Sequence, residues 1–190
     1  MLGKEQKLYT IKDFMNLPEN TRAEFWDGTI YNMSPAPNTK HQQISRELLT
    51  AISNYLKKKP CQVFHAPFDV FLLHDPSADI ETAKYVVQPD ISVICDKAKI
   101  IGQGCKGTPD FIIEIVSPSS KAMDYVKKLN LYNDYGVKEY WIVDPEKETI
   151  IVYVREDHTF TIPQKYDFND TVAVSIFEDL LIDFTQFDVD

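Results

Sequence analysis

The feature that most constrains this chain is a run of strand-forming apolar residues interrupted by one carboxylate. Residues 111–116 read FIIEIV, so Glu114 stands in the middle of the run. A run of this composition predicts a strand buried on both faces of a sheet. An ionised carboxylate is unfavourable there unless a cation or hydrogen-bond donors meet it. Glu114 therefore needs partners from elsewhere in the chain.

Length and composition predict one soluble domain. The chain has 190 residues, of which 44% are hydrophobic and 26% charged, which fits one core. We expect a single domain over 1–190 with an N-terminal arm over 1–22. No apolar run approaches the roughly 20 residues of a membrane span, and the opening MLGKEQKLYT has no apolar signal region. These features predict a cytoplasmic protein without a membrane partner.

The cysteines and the net charge further reduce the range of possible functions. Cys61, Cys95 and Cys105 are widely spaced and form no CxxC pair, so we expect buried or half-buried thiols rather than a disulfide framework or a zinc site. The net charge of −9 repels nucleic acid. Binding to a polyanion would therefore require a local basic patch or bridging metal ions.

The order of elements predicts a β-rich α/β (mixed α+β) protein with two or three helices. The apolar run of Glu114, a helix and a second apolar run allow a parallel pair of strands joined by a right-handed crossover. Loops are predicted over 74–83 and 96–108. Helices are predicted over 11–17, 40–58 and from Ser119 or Ser120 to 135, and strands within 23–33, 61–73, 85–95, 111–116, 139–143, 149–155, 160–162, 172–176 and 180–182.

Asp90 and Glu114 form a candidate metal site. Asp90 follows Pro89 inside the apolar run 85–95. If the two predicted strands are neighbours, the carboxylates could converge on one face, where they repel each other unless a cation lies between them. Carboxylates without thiols or a histidine pair suit Mg²⁺ or Mn²⁺ better than zinc. Such an ion would also bind a substrate phosphate and activate water.

The helix after Glu114 offers a lysine to this site. At about 100° per residue, Lys128 lies about 80° from the centre of the core face and Lys127 points about 180° away. Lys128 can therefore reach toward the sheet, and Asp124 is spaced to pair with it. The core face predicted for this helix consists of Ala122, Tyr125, Leu129 and Tyr132.

Several segments together resemble the Uma2 family of endonucleases, within the PD-(D/E)XK nuclease superfamily. The resemblance covers about 23–153 and implies a restriction-endonuclease-like fold, with a central mixed sheet flanked by helices and extra β-hairpins. It also implies metal-dependent phosphodiester hydrolysis, a nucleic-acid substrate (DNA favoured over RNA) and a homodimer. The segments that carry it are AEFWDG (23–28), HQQI (41–44), PD (89–90), GTPDFIIEIVSPSS (107–120), DYVKKLNLY (124–132) and GVKEYWIVDPE (136–146).

By position, the resemblance makes Asp90 and Glu114 the ligands of a Mg²⁺ or Mn²⁺ ion. Superfamily members often carry a lysine two residues after the second carboxylate, where this chain has Val116. In this family the lysine comes from the following helix, which makes Lys128 the residue that assists the attacking water. Accessory groups would be His41 and Glu47.

Each candidate residue also has a purely structural interpretation. Glu114 could form a buried ion pair, Lys128 could lie on the surface, and Pro109-Asp110 competes with Pro89-Asp90 as the motif. Asp90, His41 and Glu47 could likewise be ordinary strand-edge or helix residues, Glu24 and Asp27 are interpreted as turn residues, and Tyr132, Tyr140 and Trp141 as core.

Two other functions stay open beside the nuclease. One is a non-catalytic binding or assembly module that keeps the fold, which the net charge and the absent post-Glu114 lysine favour. The other is a metal-dependent hydrolase of a smaller phosphodiester, for which the acidic surface is less of an obstacle.

Overall fold

The computed structural model describes residues 8–19, 21–33, 38–117, 120 and 123–189. The helices are α1 (Ile11–Met15), α2 (Thr39–Leu56) and α3 (Leu129–Tyr135), the last preceded by a π-helical segment, Met123–Lys128. The strands are β1 (Ala23–Trp26), β2 (Thr29–Asn32), β3 (Gln62–His65), β4 (Val70–Leu72), β5 (Tyr85–Val87), β6 (Ile91–Ile94), β7 (Ile100–Ile101), β8 (Gly104–Lys106), β9 (Phe111–Ile115), β10 (Glu139–Asp144), β11 (Thr149–Glu156), β12 (Thr159–Phe160), β13 (Gln164–Asp167), β14 (Thr171–Ala173) and β15 (Leu181–Asp183).

Most strands lie in two mixed sheets. The first sheet has the order β2-β1-β5-β4-β8-β7, and the second has the order β12-β11-β10-β9-β6-β3 with β13 also paired to β11. The predicted crossover is confirmed, because β9 and β10 are parallel neighbours and the chain between them contains α3. All five residues of β9 are buried, as the apolar run predicted.

The helices cover the two faces of the second sheet. Ile44, Leu48 and Ile52 of α2 pack into a core with residues of β6, β9 and β10. Leu131 and Tyr132 of α3 join a core between the two sheets. The predicted N-terminal arm contains α1, which packs on the first sheet in a third apolar cluster. No helix in the described part of the chain is long and apolar enough to cross a bilayer.

Local capping signals decide where the helices begin and end. Thr10 and Asp13 form the capping box expected from the sequence, and Asn38 caps α2 by accepting the backbone N–H of His41. Gly136 ends α3 in the left-handed conformation, at φ +84°. The predicted cap Ser119 and the core position Ala122 lie outside the described residues.

The single strand predicted over 85–95 is wrong. The stretch forms two strands, β5 in the first sheet and β6 in the second. Between them stand Gln88, Pro89 and Asp90, and a proline has no N–H to donate to a ladder. The chain therefore changes sheets at the Pro-Asp motif, which places Asp90 at the entrance of β6.

The loop predicted over 96–108 is also wrong. It contains a short antiparallel pair, β7 and β8, and β8 continues the first sheet beside β4. Gly104 makes this possible because it has a φ of +144°, and a Cβ there would lie 2.1 Å from the backbone oxygen of Asp69. Glycines that signal a loop in sequence serve here in a close backbone approach.

The prediction of three free thiols is wrong for two cysteines. Cys61 and Cys95 form a disulfide. They flank β3 and β6, and the antiparallel register of these strands, Gln62 opposite Ile94, brings their ends together. The prediction failed because the pairing depends on this register across 34 positions. Cys105 remains a buried thiol whose pKa is raised to about 12 by burial.

Candidate active site

Asp90 lies directly across the sheet from Glu114. In the antiparallel pair β6–β9, Ile91 is opposite Ile113, and one further step sets Asp90 against Glu114. Opposed residues project from the same face, so the two carboxylates share one side of the sheet. Asp90 Oδ2 also accepts the N–H of Ile115 at 2.8 Å. The side chain of Asp90 keeps 19% of its surface exposed, so this carboxylate is open to a ligand.

Lys128 reaches Glu114, as its position on the flank of the helix predicted. Its Nζ donates to Glu114 Oε1 at 2.9 Å, and lies 3.2 Å from Glu24 Oε1 and 3.7 Å from Asp124 Oδ1. The four side chains are at most 7% exposed. We call Lys128, Glu114, Glu24 and Asp124 the lysine–acid cluster. Lys127 is exposed, also as predicted.

A π-helical segment brings the lysine inward. Met123–Lys128 has the wider winding in which each N–H bonds to the carbonyl five residues back. Successive side chains therefore turn by less than 100°, so the predicted 80° offset of Lys128 from the core face does not hold. Tyr140 supports the segment by donating its hydroxyl to the carbonyl of Asp124 at 3.0 Å.

Glu24 is the member of the cluster that the sequence analysis missed. It was interpreted as a turn residue, but it lies within β1 and is only 5% exposed. Trp26 Nε1 donates to its Oε2 at 3.0 Å, and the N–H of Gln88 donates to its Oε1 at 3.1 Å. The available signal was the same as for Glu114, a carboxylate between apolar strand residues. Asp27 does lie at the hairpin turn, with φ +41°.

Three acids around one lysine set the protonation of the cluster. Burial raises the pKa of Glu114 well above its usual value; Lys128 lowers it, and Asp124, Asp90 and Glu24 raise it further. Burial lowers the pKa of Lys128, but the carboxylates raise it well above the ordinary value on balance. Glu114 therefore holds a proton more readily, mainly because it is buried, while the excess of carboxylates keeps the lysine charged.

The remaining predicted residues fall in different places. His41 is buried, and its Nε2 lies 3.2 Å from Asp90 Oδ2. Tyr132 is core as expected, and its hydroxyl also donates to Glu114 Oε1 at 2.7 Å. Glu47 contacts the guanidinium of Arg46 at 2.6 Å, on the same helix as His41. The structure thus brings His41 to Asp90 and directs Glu47 to a surface ion pair.

The aspartate of the competing motif, Pro109-Asp110, has a structural role in the sheet. Asp110 Oδ2 accepts the N–H of Cys95 at 2.7 Å, and its Oδ1 lies 2.6 Å from Lys138 Nζ. These contacts place Asp110 at the entrance of β9, as expected from its position. Asp90 is therefore the aspartate that faces Glu114.

The donors at this site fit a hard divalent cation only in part. Asp90 and Glu114 supply carboxylate oxygens from one face, which suits Mg²⁺ or Mn²⁺. Among the described residues, no group of three or more His, Cys, Asp or Glu is arranged to hold a metal ion. Mg²⁺ often uses only one or two protein carboxylates and takes its other ligands from water and substrate phosphate. The pair fits that mode of binding.

Comparison with known proteins identifies the family. The model of Uma2, described as "Putative restriction endonuclease", matches residues 11–185. The chain belongs to the Uma2 family. The uncharacterized protein slr1290 of Synechocystis sp. is 26% identical over 140 residues, which cover 73% of this chain and 69% of that protein.

A solved structure confirms the fold class of this Uma2 chain. It comes from Anabaena variabilis and is described as a putative nuclease belonging to DUF820; it superposes with a TM-score of 0.72 at 23% identity. The match covers 94% of this chain and 97% of the other. The mixed α/β architecture of a restriction-endonuclease-like fold is therefore confirmed. The Uma2 match also extends the resemblance to β12–β15 and to the arm, beyond residues 23–153.

Proposed function

We propose that this Uma2 protein is a divalent-metal-dependent nuclease that hydrolyses phosphodiester bonds of nucleic acid. The observation that carries the proposal is the opposition of Asp90 and Glu114 on neighbouring strands, with Lys128 on Glu114. Family membership adds to it, since the Uma2 model is described as a restriction endonuclease. DNA is the favoured substrate.

Asp90 and Glu114 would hold a Mg²⁺ or Mn²⁺ ion. When bound, such an ion neutralises phosphate charge and lowers the pKa of a coordinated water. His41 and the N–H of Ile115 both contact Asp90 through Oδ2. These two contacts orient the carboxylate and leave Oδ1 as the oxygen that would face the ion.

Lys128 would act as a fixed positive charge rather than as a base. The surrounding carboxylates raise its pKa well above the usual value, so it does not accept a proton near neutral pH. Its ammonium would stabilise negative charge that develops on the phosphate and would orient the attacking water. Glu24, on β1 and 3.2 Å from the ammonium, would act as a positioning residue.

The acidic charge of the chain is compatible with this role. A net charge of −9 opposes the approach of a polyanion, so binding should depend on the positive charge of the divalent ion that Asp90 and Glu114 would hold. We therefore expect substrate affinity to require Mg²⁺ or Mn²⁺. The homodimer implied by the resemblance stays a prediction.

Calorimetric titration of Mg²⁺ and Mn²⁺ tests the proposal. The native protein, Asp90→Asn and Glu114→Gln should be compared, with Glu139→Gln as a matched buried glutamate outside the site. We expect binding to the native protein and the Glu139→Gln control, and its loss in the other two. Repeating the titration with an uncleavable phosphorothioate oligonucleotide tests whether the ion site forms only when substrate is bound.

Cleavage assays then complete the test. Single-stranded DNA, duplex DNA, RNA and a small phosphodiester are incubated with Mn²⁺. We expect cleavage of nucleic acid that both site variants reduce by at least about a hundredfold. Cleavage of the small phosphodiester alone would favour the alternative of a hydrolase that acts on smaller phosphodiesters.

The alternative function is a binding or assembly module without catalysis. The described residues lack a three-ligand metal cluster, and Lys128 already neutralises part of the charge on Glu114. A protein that binds neither ion, with and without the oligonucleotide, would favour this alternative over the nuclease.

A further inference from the structure

A pocket lies on the face of the first sheet that is opposite the lysine–acid cluster. Its volume is about 210 Å³, against roughly 10–15 Å³ for a space that holds one water. Apolar side chains from α1 and the turn after it, among them Phe14, Met15 and Leu17, line one side, and Phe71 of β4 lines the sheet side. The pocket therefore has an apolar side, and its volume leaves room for a ring system.

Four polar residues also line this pocket: Thr21, Asp69, Gln88 and Gln103. Asp69 and Gln88 both line it, and they stand opposite each other in the continued register of β4 and β5. Gln88 Nε2 donates to Asp69 Oδ1 at 2.8 Å. A carboxylate only accepts hydrogen bonds, so the amide must present its nitrogen to Asp69. The amide oxygen, Gln88 Oε1, is then buried without a partner in the described part of the chain.

These acceptors call for a ligand that donates N–H groups. A buried carbonyl oxygen without a partner costs free energy that a donor would recover. Burial raises the pKa of Asp69; the bond from Gln88 lowers it, and the charge of Glu24 raises it further. The local field thus disfavours an anion in the pocket. A planar group with adjacent N–H donors, packed against the apolar side of the pocket, satisfies these conditions.

Gln88 links this pocket to the candidate active site. Its side chain lines the pocket, its backbone N–H donates to Glu24 Oε1 at 3.1 Å, and Asp90 follows two residues later. The pocket and Asp90 are therefore joined through three consecutive residues of the chain. A nucleotide carries a flat donor-bearing ring and a phosphate in one molecule.

We propose that this pocket is a base-binding subsite that takes guanine, through the carboxylate of Asp69 and the amide oxygen of Gln88. Guanine offers two adjacent donors, N1–H and the N2 amino group, whereas adenine, cytosine and uracil each offer one donor group on the same edge. Nucleic-acid enzymes commonly hold an extruded base between apolar side chains and bind its pairing edge. The subsite rests on the proposed nuclease function.

Nucleoside binding without metal tests the subsite separately from catalysis. Guanosine, adenosine, cytidine and uridine are titrated into the full chain in EDTA. Guanosine should bind roughly ten- to a hundredfold more tightly than uridine. Asp69→Asn should weaken guanosine binding at least roughly tenfold, and Met15→Trp, at a 41% exposed wall position, should block the pocket by its bulk. Asp134→Asn, the same charge change on an exposed residue of α3, should bind like the native protein.

Equal binding of all four nucleosides, no binding, or guanosine binding that neither pocket variant alters would overturn the subsite. A second arm uses oligothymidylate with a single guanine and Mn²⁺. Cleavage concentrated beside the guanine supports a base held within a strand, whereas guanosine binding without that preference supports a free nucleotide. Even cleavage with no guanosine binding rejects the subsite and keeps the nuclease. Guanosine binding without any cleavage keeps the subsite and rejects the nuclease.

Discussion

Glu114 and Glu139 are two buried glutamates on adjacent parallel strands with different surroundings. Glu139 is fully buried at the start of β10, opposite Phe111 of β9. It accepts the indole N–H of Trp141 at 2.7 Å and the backbone N–H of Ile176 at 3.0 Å. Its partners are therefore neutral donors, whereas Glu114 meets a lysine, a tyrosine hydroxyl and further acids.

The different surroundings of the two glutamates affect their pKa values in different ways. Burial raises the pKa of Glu139, and its hydrogen bonds from Trp141, Ile176 and Ser175 lower it. For Glu114, burial is joined by the charges of other acids, which also raise the pKa. A buried carboxylate by itself is thus no sign of an active site. The concentration of like charges around a single cation is the feature that distinguishes Glu114.

The largest effect is expected from Lys128→Met. It removes the cation that faces three buried carboxylates, and uncompensated buried charge of this kind costs about 3–5 kcal/mol. Urea unfolding at neutral pH measures the loss. Lys127→Met is the matched control, because its side chain is exposed and should change the free energy of unfolding by less than about 0.5 kcal/mol. A similar small change for both would mean that the lysine–acid cluster is not held by Lys128.

A smaller loss is expected from Glu139→Gln. Oε1 of Glu139 accepts the N–H of Trp141 and Oε2 that of Ile176. Glutamine has only one acceptor oxygen, so at least one buried donor would be left unpaired. This costs about 1–3 kcal/mol in the free energy of unfolding. Metal binding should be unchanged, and loss of metal binding here would erase the distinction between the two glutamates.

For Glu114→Gln, the sign of the change in the free energy of unfolding should depend on pH. The pKa of Glu114 is raised in the folded state, so above pH 4.5 the folded protein binds more protons than the unfolded chain. The free energy of unfolding therefore falls as pH rises, by at most about 1.4 kcal/mol per pH unit for this group. Without Glu114 this slope is absent, and the variant should gain stability relative to the native protein between pH 5 and 8. Unfolding in EDTA across that pH range measures the difference in stability. A variant that gained stability toward acid pH would contradict the raised pKa of Glu114.

The sequence was sufficient for the parts of the site that depend on local pattern. The apolar run around Glu114 and the crossover to β10 follow from spacing along a continuous segment, whereas Lys128 reaches Glu114 through a π-helical winding that the α-helical spacing did not include. Glu24 shows the same local pattern, but its partners, Lys128 and the backbone N–H of Gln88, come from distant parts of the chain and could not be found in this way. The change of sheet at Pro89 was missed for the same reason, since an apolar strand pattern does not identify its neighbours.

The winding of Met123–Lys128 has one more consequence. Each of its hydrogen-bonded rings spans one residue more than in an α-helix, so the length of the segment decides which side chains before Lys128 face the cluster. A single deletion at the exposed Val126 would let the segment follow α-helical winding. The count from Lys128 to Gly136 would stay the same, and the residues before the deletion, among them Asp124, would turn to new positions. For this helix, counting back from Gly136 locates the lysine better than counting forward from Ser120.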